Sequence, residues 1–577
     1  MGSAAGKIFG YFERFSESAA HYPFLTALLI ACILPPSIWC VIALWRRRPA
    51  QALWATVAII IVLVCFSWGD DTYTHTYRIV AVSEQIRAFT ASLLLTNSQT
   101  GVVVPTFVYY SPLPYLLPVI LNLVGIPALV AFKFSMCLQL VVMALGVQRI
   151  VEKTGTGAIG FYAAILLVTA NYTYEVWVSR AALAELWVYS VVPWVISNSL
   201  PSRTPGRNSA LSLTLVFFVQ AVAHPIVLAH SLLCEVPAVM GLARIGPIEL
   251  ARRWFVPFTA ALVLAIPFWL PQALWQSYIL GPAALPADFG DSFQTAVELL
   301  DPKNNRNMGT FLPIALVLML AMLRLRLSVA TWFLTVCWAV LLALQSVYLR
   351  HVTLHIPTLP LSLFVWRLML PTAMLAFAAL LSGWRDVAGS PVAQTPRARR
   401  GRLTLAWLAG ISAIFMAGFT VLESVDYLRP LATAQKDHDA RVAYDTDKEN
   451  SIWGVREYIP NYESLKQTCF AASVAEVRQT RYDELRNGLS AGKPYLAITR
   501  APIGMVTYRD DGKAVQPSFC GEDLVIGPLP PNATVTVDES ALHWLLVVRG
   551  VEMALLVLFF ASFLFGEGRR RGRLAAA

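Results

Sequence analysis

Apolar stretches of about 17 to 25 residues recur along this chain, each followed by a short polar segment, and that is the length a helix needs to cross a bilayer's hydrocarbon core. Phe24 to Leu44, Ala52 to Trp68, Val329 to Val347 and Leu403 to Leu422 are the clearest. Only 14% of the 577 residues are charged and 57% are hydrophobic, whereas an ordinary soluble protein is about 25% charged. The pattern predicts a mainly α, polytopic membrane helical bundle. Its spans fall at approximately 23–45, 52–68, 126–148, 157–171, 186–200, 209–224, 226–243, 255–271, 309–323, 328–348, 367–383, 403–422 and 541–566, about 13 transmembrane helices in all.

The basic residues give an orientation. One set of short loops holds 21 of them, from Arg46–Arg48 to the Arg569–Arg573 tail, and the opposite set holds 7. The richer set is expected in the cytoplasm, which puts the N-terminus and the long segment 423–540 outside. The net charge of +10 comes from these clusters between apolar spans, so no nucleic-acid partner is expected. No cleavable signal peptide is evident, because a polar stretch precedes the first apolar run.

Three outer segments, 69–125, 272–308 and 423–540, are longer than a connection requires. Residues 111–124 are apolar but short and rich in proline, and are expected to form a helix lying in the outer interface. Segment 423–540 has a helical start and strand-like runs at Leu524 to Ile526 and Thr534 to Val537, the pattern of a small extracytoplasmic α+β domain. The expected division is a transmembrane module over 1–422, the soluble domain over 423–540, and a last helix with a basic tail over 541–577. Six cysteines lie in apolar spans. Cys469 and Cys520, in the soluble segment, are expected to pair as a disulfide in an oxidising compartment.

The segment Trp68-Gly-Asp-Asp-Thr-Tyr-Thr-His-Thr-Tyr-Arg78 carries the strongest chemical signal. Asp70 and Asp71 sit where a helix leaves the bilayer, and Asp71, His75 and Arg78 share one helical face. A carboxylate there can accept a proton or hold a metal; the plain alternative is a solvated helix end. Tyr109 and Tyr110 begin an aromatic, proline-rich approach to the membrane. Arg180 and Glu185 lie in the next connection, as a functional pair or a structural ion pair. His224 marks a tight turn. Trp366-Arg367 opens a late span, with a guanidinium suited to phosphate or to anchoring at the interface. Lys133, Glu235, Arg549 and Glu552 are charges within spans that need local partners, Arg549 and Glu552 with each other. No nucleotide-binding, zinc-protease or serine-hydrolase motif is present.

In these motifs and their order, the chain resembles the GT-C superfamily of membrane glycosyltransferases. It is most similar to the bacterial membrane family labelled "6-pyruvoyl-tetrahydropterin synthase-related". The resemblance runs over roughly residues 50–430. It rests on Asp70-Asp71 with His75 and Arg78, Tyr109 to Tyr115, Arg180 to Glu185, and Trp366-Arg367. It implies an inner-membrane enzyme, with its active site on the extracytoplasmic side. The enzyme transfers a sugar, with inversion, from a polyprenyl-phosphate donor to a glycan or lipid acceptor. Asp71 is then the general base, with Asp70 as neighbour or substitute, and Arg367 contacts the donor phosphate. A divalent metal serves some GT-C enzymes and not others, and no ligand cluster here compels one. A transporter or flippase of lipid-linked precursors, and a non-catalytic envelope-assembly protein, are the competing readings.

Overall fold

The structure is a computed structural model. It describes residues 20, 22–67, 69, 71–88, 93–96, 103–104, 106–201, 207–275, 293–300, 311–323, 327–356, 365–388, 396, 400–415, 477–480, 484–485, 488–499, 506–520, 523–530, 532–551 and 554. The chain divides into two compact units. The first comprises Met1–Ile79, Leu117–Leu262 and Leu285–Glu449, and the second comprises Val80–Leu116, Val263–Ala284 and Asn450–Ala577.

The first unit is helical. Its elements are α1 (Pro23–Trp45), α2 (Pro49–Phe66), the start of α3 (Thr72–Arg87), most of α4 (Leu113–Leu123), α5 (Ala128–Thr154), α6 (Gly157–Val168), α7 (Leu183–Ser199), α8 (Arg207–Ala223) and α9 (Pro225–Ala243). They continue with α10 (Pro247–Leu264), α11 (Phe311–Leu323), α12 (Val329–Leu344), α13 (Met369–Ala388) and α14, over residues 400–415. Prolines open α1, α2 and α9, where the missing N–H has no intrahelical partner to lose. Gly155 closes α5 in the left-handed conformation.

Among the described residues, five helices are long and apolar enough to cross a membrane: α1, α2, α5, α9 and Val365–Ala388, which includes α13. The chain is a multi-pass membrane protein. Shorter apolar helices, among them α4, α6 and α12, accompany them among the described residues. Helix α4, the expected interfacial segment, has 11 residues and reaches about 16 Å at 1.5 Å per residue, too little for a span.

Helix α13 lies at the centre of the first unit. Its spanning window is 100% buried, whereas that of α1 is 22% buried. A helix apolar all round belongs in a core. Helix α13 packs against α6, α9, α11 and α12, and its Asp386 pairs with Arg244 and accepts from Ser328 N and Thr331 Oγ1 at 2.7 Å each. That ties the ends of three helices together. Helices α5 and α7 pack closely, with Trp194 Nε1 donating to Val142 O at 2.8 Å. Phe293 packs against Val365 and Leu354, and Gln294 bridges in parallel to Ser346.

The second unit holds a short antiparallel pair, β1 (Leu95–Thr96) and β2 (Val103–Val104). Near the C-terminus it holds a strand-rich region of two four-stranded sheets. The strands are β3 (Val477–Thr480), β4 (Leu489–Ser490), β5 (Tyr495–Thr499), β6 (Thr507–Asp510), β7 (Lys513–Val515), β8 (Ser518–Cys520), β9 (Asp523–Ile526) and β10 (Thr534–Asp538). Their orders are β4-β10-β6-β7 and β3-β5-β9-β8. Among the described strands only β3 and β5 pair in parallel, with Val477 opposite Tyr495. Both strand-like runs read from the sequence fall in strands, β9 and β10. Val535 and Leu496 are buried, as alternation on a half-buried sheet requires. In the helix that follows, Ser540–Val551, Arg549 is buried and donates to the carbonyls of Phe107, Val108, Pro267 and Phe268. The side chain of Glu552, its expected partner, lies outside the described residues.

Candidate functional site

Three stretches of the first unit, widely separated in sequence, meet at one place. Helix α2 ends at Ser67, whose carbonyl and hydroxyl oxygens lie 2.7 and 3.4 Å from the buried Lys133 Nζ of α5. A cation at a helix C-terminus satisfies exposed carbonyls and complements the dipole. The chain then passes Gly69. A Cβ there would lie 2.7 Å from both Val178 O and Ala181 Cβ, so only glycine lets the two segments touch. The Asp71 N–H donates to Arg180 O at 2.8 Å, and α3 begins at the next residue.

The Arg180 segment has its own shape. Residues Glu175–Ser179 form a π-helical turn, closed by Arg180 N donating to Glu175 O at 2.7 Å. Such turns are frequent at functional sites. Ala181 follows at φ 58°, a left-handed conformation that costs a non-glycine residue about 1–3 kcal/mol. Together they turn the chain so that Arg180 faces Glu185, on the first turn of α7.

The side chains form a linked set of charges. Arg180 Nη1 lies 3.2 Å from Glu185 Oε2, and Nη2 lies 3.3 Å from Oε1. Arg180 Nη2 also lies 3.8 Å from Asp71 Oδ2. Arg367 Nε approaches Glu185 Oε1 at 2.9 Å. The Arg180 guanidinium lies 4.8 Å from the Trp366 ring centre, a cation–π distance. The Tyr189 hydroxyl donates to Arg367 O at 3.0 Å, and the Tyr172 ring lies 5.9 Å from that of Trp366. Side-chain exposure rises from 4% at Glu185 and 8% at Arg367 to 16% at Arg180 and 39% at Asp71. Glu185 is thus a closed carboxylate held by two arginines, and Asp71 is the open one.

His75 is buried, and its Nε2 accepts from Leu183 N at 3.3 Å. Burial, then the charges of Arg78 and Arg180, hold its pKa well below the ordinary imidazole value. A neutral ring with its proton on Nδ1 fits that hydrogen bond, and it ties α3 to the start of α7. Arg78 is buried one turn along. His224 caps α9 by accepting from Val227 N at 3.4 Å. Its pKa is lowered to about 4 by burial and by Arg367, against the opposing pull of Glu185.

No family model matches the chain, and no curated protein sequence matches it. Among solved structures it is similar to "Single-Particle Cryo-EM Structure of Arabinofuranosyltransferase AftD from Mycobacteria", at 15% identity and a TM-score of 0.44. The match covers 83% of this chain and 40% of that one, so the chain spans two fifths of that protein's length.

The structure therefore brings together Asp71, His75, Arg180, Glu185, Trp366 and Arg367. Tyr110 belongs to the second unit, where its ring lies 5.9 Å from that of Tyr115. Asp70, Cys469 and the side chains of Tyr109 and Cys520 lie outside the described residues. Among the described residues no group of three His, Cys, Asp or Glu side chains could hold a metal ion. Three neighbours were not read from the sequence as parts of the site. Lys133 and His224 carried a signal, as a charge in an apolar span and a histidine before a proline. Gly69 carried none, because its constraint comes from backbone 109 residues away.

Proposed function

We propose that the chain is a GT-C-type membrane glycosyltransferase, moving a sugar from a polyprenyl-phosphate donor to a glycan or lipid acceptor on the extracytoplasmic side. The observation that carries this reading is the contrast between the two carboxylates. Glu185 is closed and neutralised by Arg180 and Arg367, while Asp71 is open and only loosely approached by Arg180, at 3.8 Å. An open carboxylate beside a guanidinium suits the two charges that the transfer develops.

In this mechanism Asp71 accepts the proton of the acceptor hydroxyl as its oxygen attacks the anomeric carbon. The bond from that carbon to the phosphate oxygen breaks with inversion, and polyprenyl phosphate departs. Arg180, the more open guanidinium, meets the growing phosphate charge, and Arg367 adds its field from behind Glu185. Fixed charges aimed at developing charge supply the largest share of such catalysis. Trp366 is buried beneath Arg180 and holds that guanidinium in place. Asp70 is the neighbour or substitute of Asp71 as the base, and the segment 423–540 forms an extracytoplasmic soluble domain.

The rival transporter reading needs intramembrane charges available to cargo. Lys133 is engaged by Ser67, Glu235 by Gln220 at 2.6 Å, and Arg549 by backbone carbonyls, which favours the transferase. Purified full-length protein is incubated with a panel of polyprenyl-phosphate sugars, and released polyprenyl phosphate is measured, since that product is common to every sugar. Acceptor-dependent release supports the reading. Movement of intact lipid-linked precursor across reconstituted vesicles, with no release from any donor, supports the transporter instead.

A further inference from the structure

A cavity of about 320 Å³ opens between α1, α2 and α14. Cys40, Ile59 and Ala413 form its buried floor, and Ile38, Val41 and Ile414 its exposed walls. The polar groups nearest the floor turn inward: Cys40 Sγ lies 3.6 Å from Thr56 Oγ1. Helix α1 carries Pro35 and Pro36, a pair that removes helix donors and bends a helix, and the groove begins at the next residue, Ser37. A Cβ on Gly410 would lie 3.2 Å from Leu44 Cδ1, so α1 and α14 close together just below the opening.

The groove lies near one end of α1. Trp45, 87% exposed, marks the depth at which aromatic rings meet the headgroups. Arg46, Arg47 and Arg48 follow it. All three are exposed, and none makes an ion pair among the described residues. Ile42 stands four residues before Arg46, about 6 Å along the helix. A phosphate at the arginines would therefore start its acyl chain at the mouth of the groove.

We propose that this groove is a binding site for an anionic phospholipid of the leaflet on the Arg46–Arg48 side, one acyl chain lying between α1 and α14 and the phosphate on the arginines. Spanning helices with an open apolar cleft are filled by hydrocarbon, and the three guanidinium groups at headgroup depth select a negative head. This site is independent of the proposed transferase reading.

The test is native mass spectrometry of the full-length protein released from nanodiscs of equal phosphatidylglycerol and phosphatidylcholine. One phosphatidylglycerol should be retained in preference to phosphatidylcholine. Arg46→Gln with Arg48→Gln should weaken that retention about 25-fold, at roughly fivefold for each basic residue near the headgroups. Arg47 is kept because it holds a left-handed turn at φ 53°. Ala413→Phe fills the groove floor and should release the lipid while leaving all three arginines in place. Val41→Phe, on the exposed wall, serves if Ala413→Phe lowers helix content in circular dichroism. Equal retention of the two lipids overturns the proposal, as does retention indifferent to the arginines. A dimer that Val41→Phe dissociates also overturns it, because the groove then holds a second copy.

Discussion

The backbone N–H of Asp71 donates to the carbonyl of Arg180 at 2.8 Å, so the acidic motif and the arginine motif are joined through main chain, whatever their side chains do. The position of the Asp71 carboxylate is then set by rigid neighbours: Gly69 against residues 178–181, His75 on Leu183, and Lys133 on Ser67.

Gly69→Ala tests this joint. Its methyl would meet backbone atoms that cannot move aside, and overpacking of that kind costs about 1–3 kcal/mol. Thermal unfolding of the variant should show a lower midpoint, and its transfer rate should fall beyond what the stability loss accounts for. A wild-type rate at equal stability would mean that the two segments need not touch.

Glu185→Gln keeps the shape but removes the negative charge between two buried arginines. Breaking one partner of a buried ion pair costs about 3–5 kcal/mol. A double change, Glu185→Gln with Arg367→Met, should cost less than the two single changes added together, because the partners are coupled. Additive losses in denaturation would show that the 2.9 Å contact contributes nothing.

Lys133→Met should leave the Ser67 carbonyl without its buried donor, at a cost of about 1–3 kcal/mol. The expected signature is faster hydrogen exchange of amides 69–72, where α2 leads into Asp71. Unchanged exchange there would limit Lys133 to packing.

Stability should fall as pH drops below about 6.5, the ordinary histidine value. His75 and His224 are held neutral in the fold, so the unfolded chain binds more protons in this window, and unfolding is favoured as pH falls. For His224 the loss runs from about 6.5 to its folded value of about 4. His224→Asn, which keeps a helix-capping side chain, should flatten part of this slope in a melting series from pH 7 to pH 4.5. An identical slope in the variant would assign it elsewhere.

Much of this site is legible in the sequence because its chemistry is costly in a membrane. A carboxylate pair at a helix exit and an arginine five residues before a glutamate each need a partner. Their order along the chain marks them out. The partners themselves are not legible. Nothing in the spacing says that Arg367 reaches Glu185. Helical periodicity puts Asp71 and His75 on one face, but the ring turns to Leu183 N because the π-helical turn at Glu175–Ser179 brings α7 there. The same limit applies to the spans. Hydropathy finds apolar stretches, but prolines such as Pro193, Pro257 and Pro271 sit within them, and composition alone does not fix where a helix ends.

The most direct test of the account compares the initial rate of polyprenyl-phosphate release by wild-type protein and by Asp71→Asn, at saturating acceptor and matched thermal stability. Losing a general base lowers the rate about 10²–10⁴-fold, and that drop with an unchanged melting midpoint is the predicted result. Rates within about twofold of wild type for both Asp71→Asn and Asp70→Asn, far short of what a lost general base costs, would contradict it.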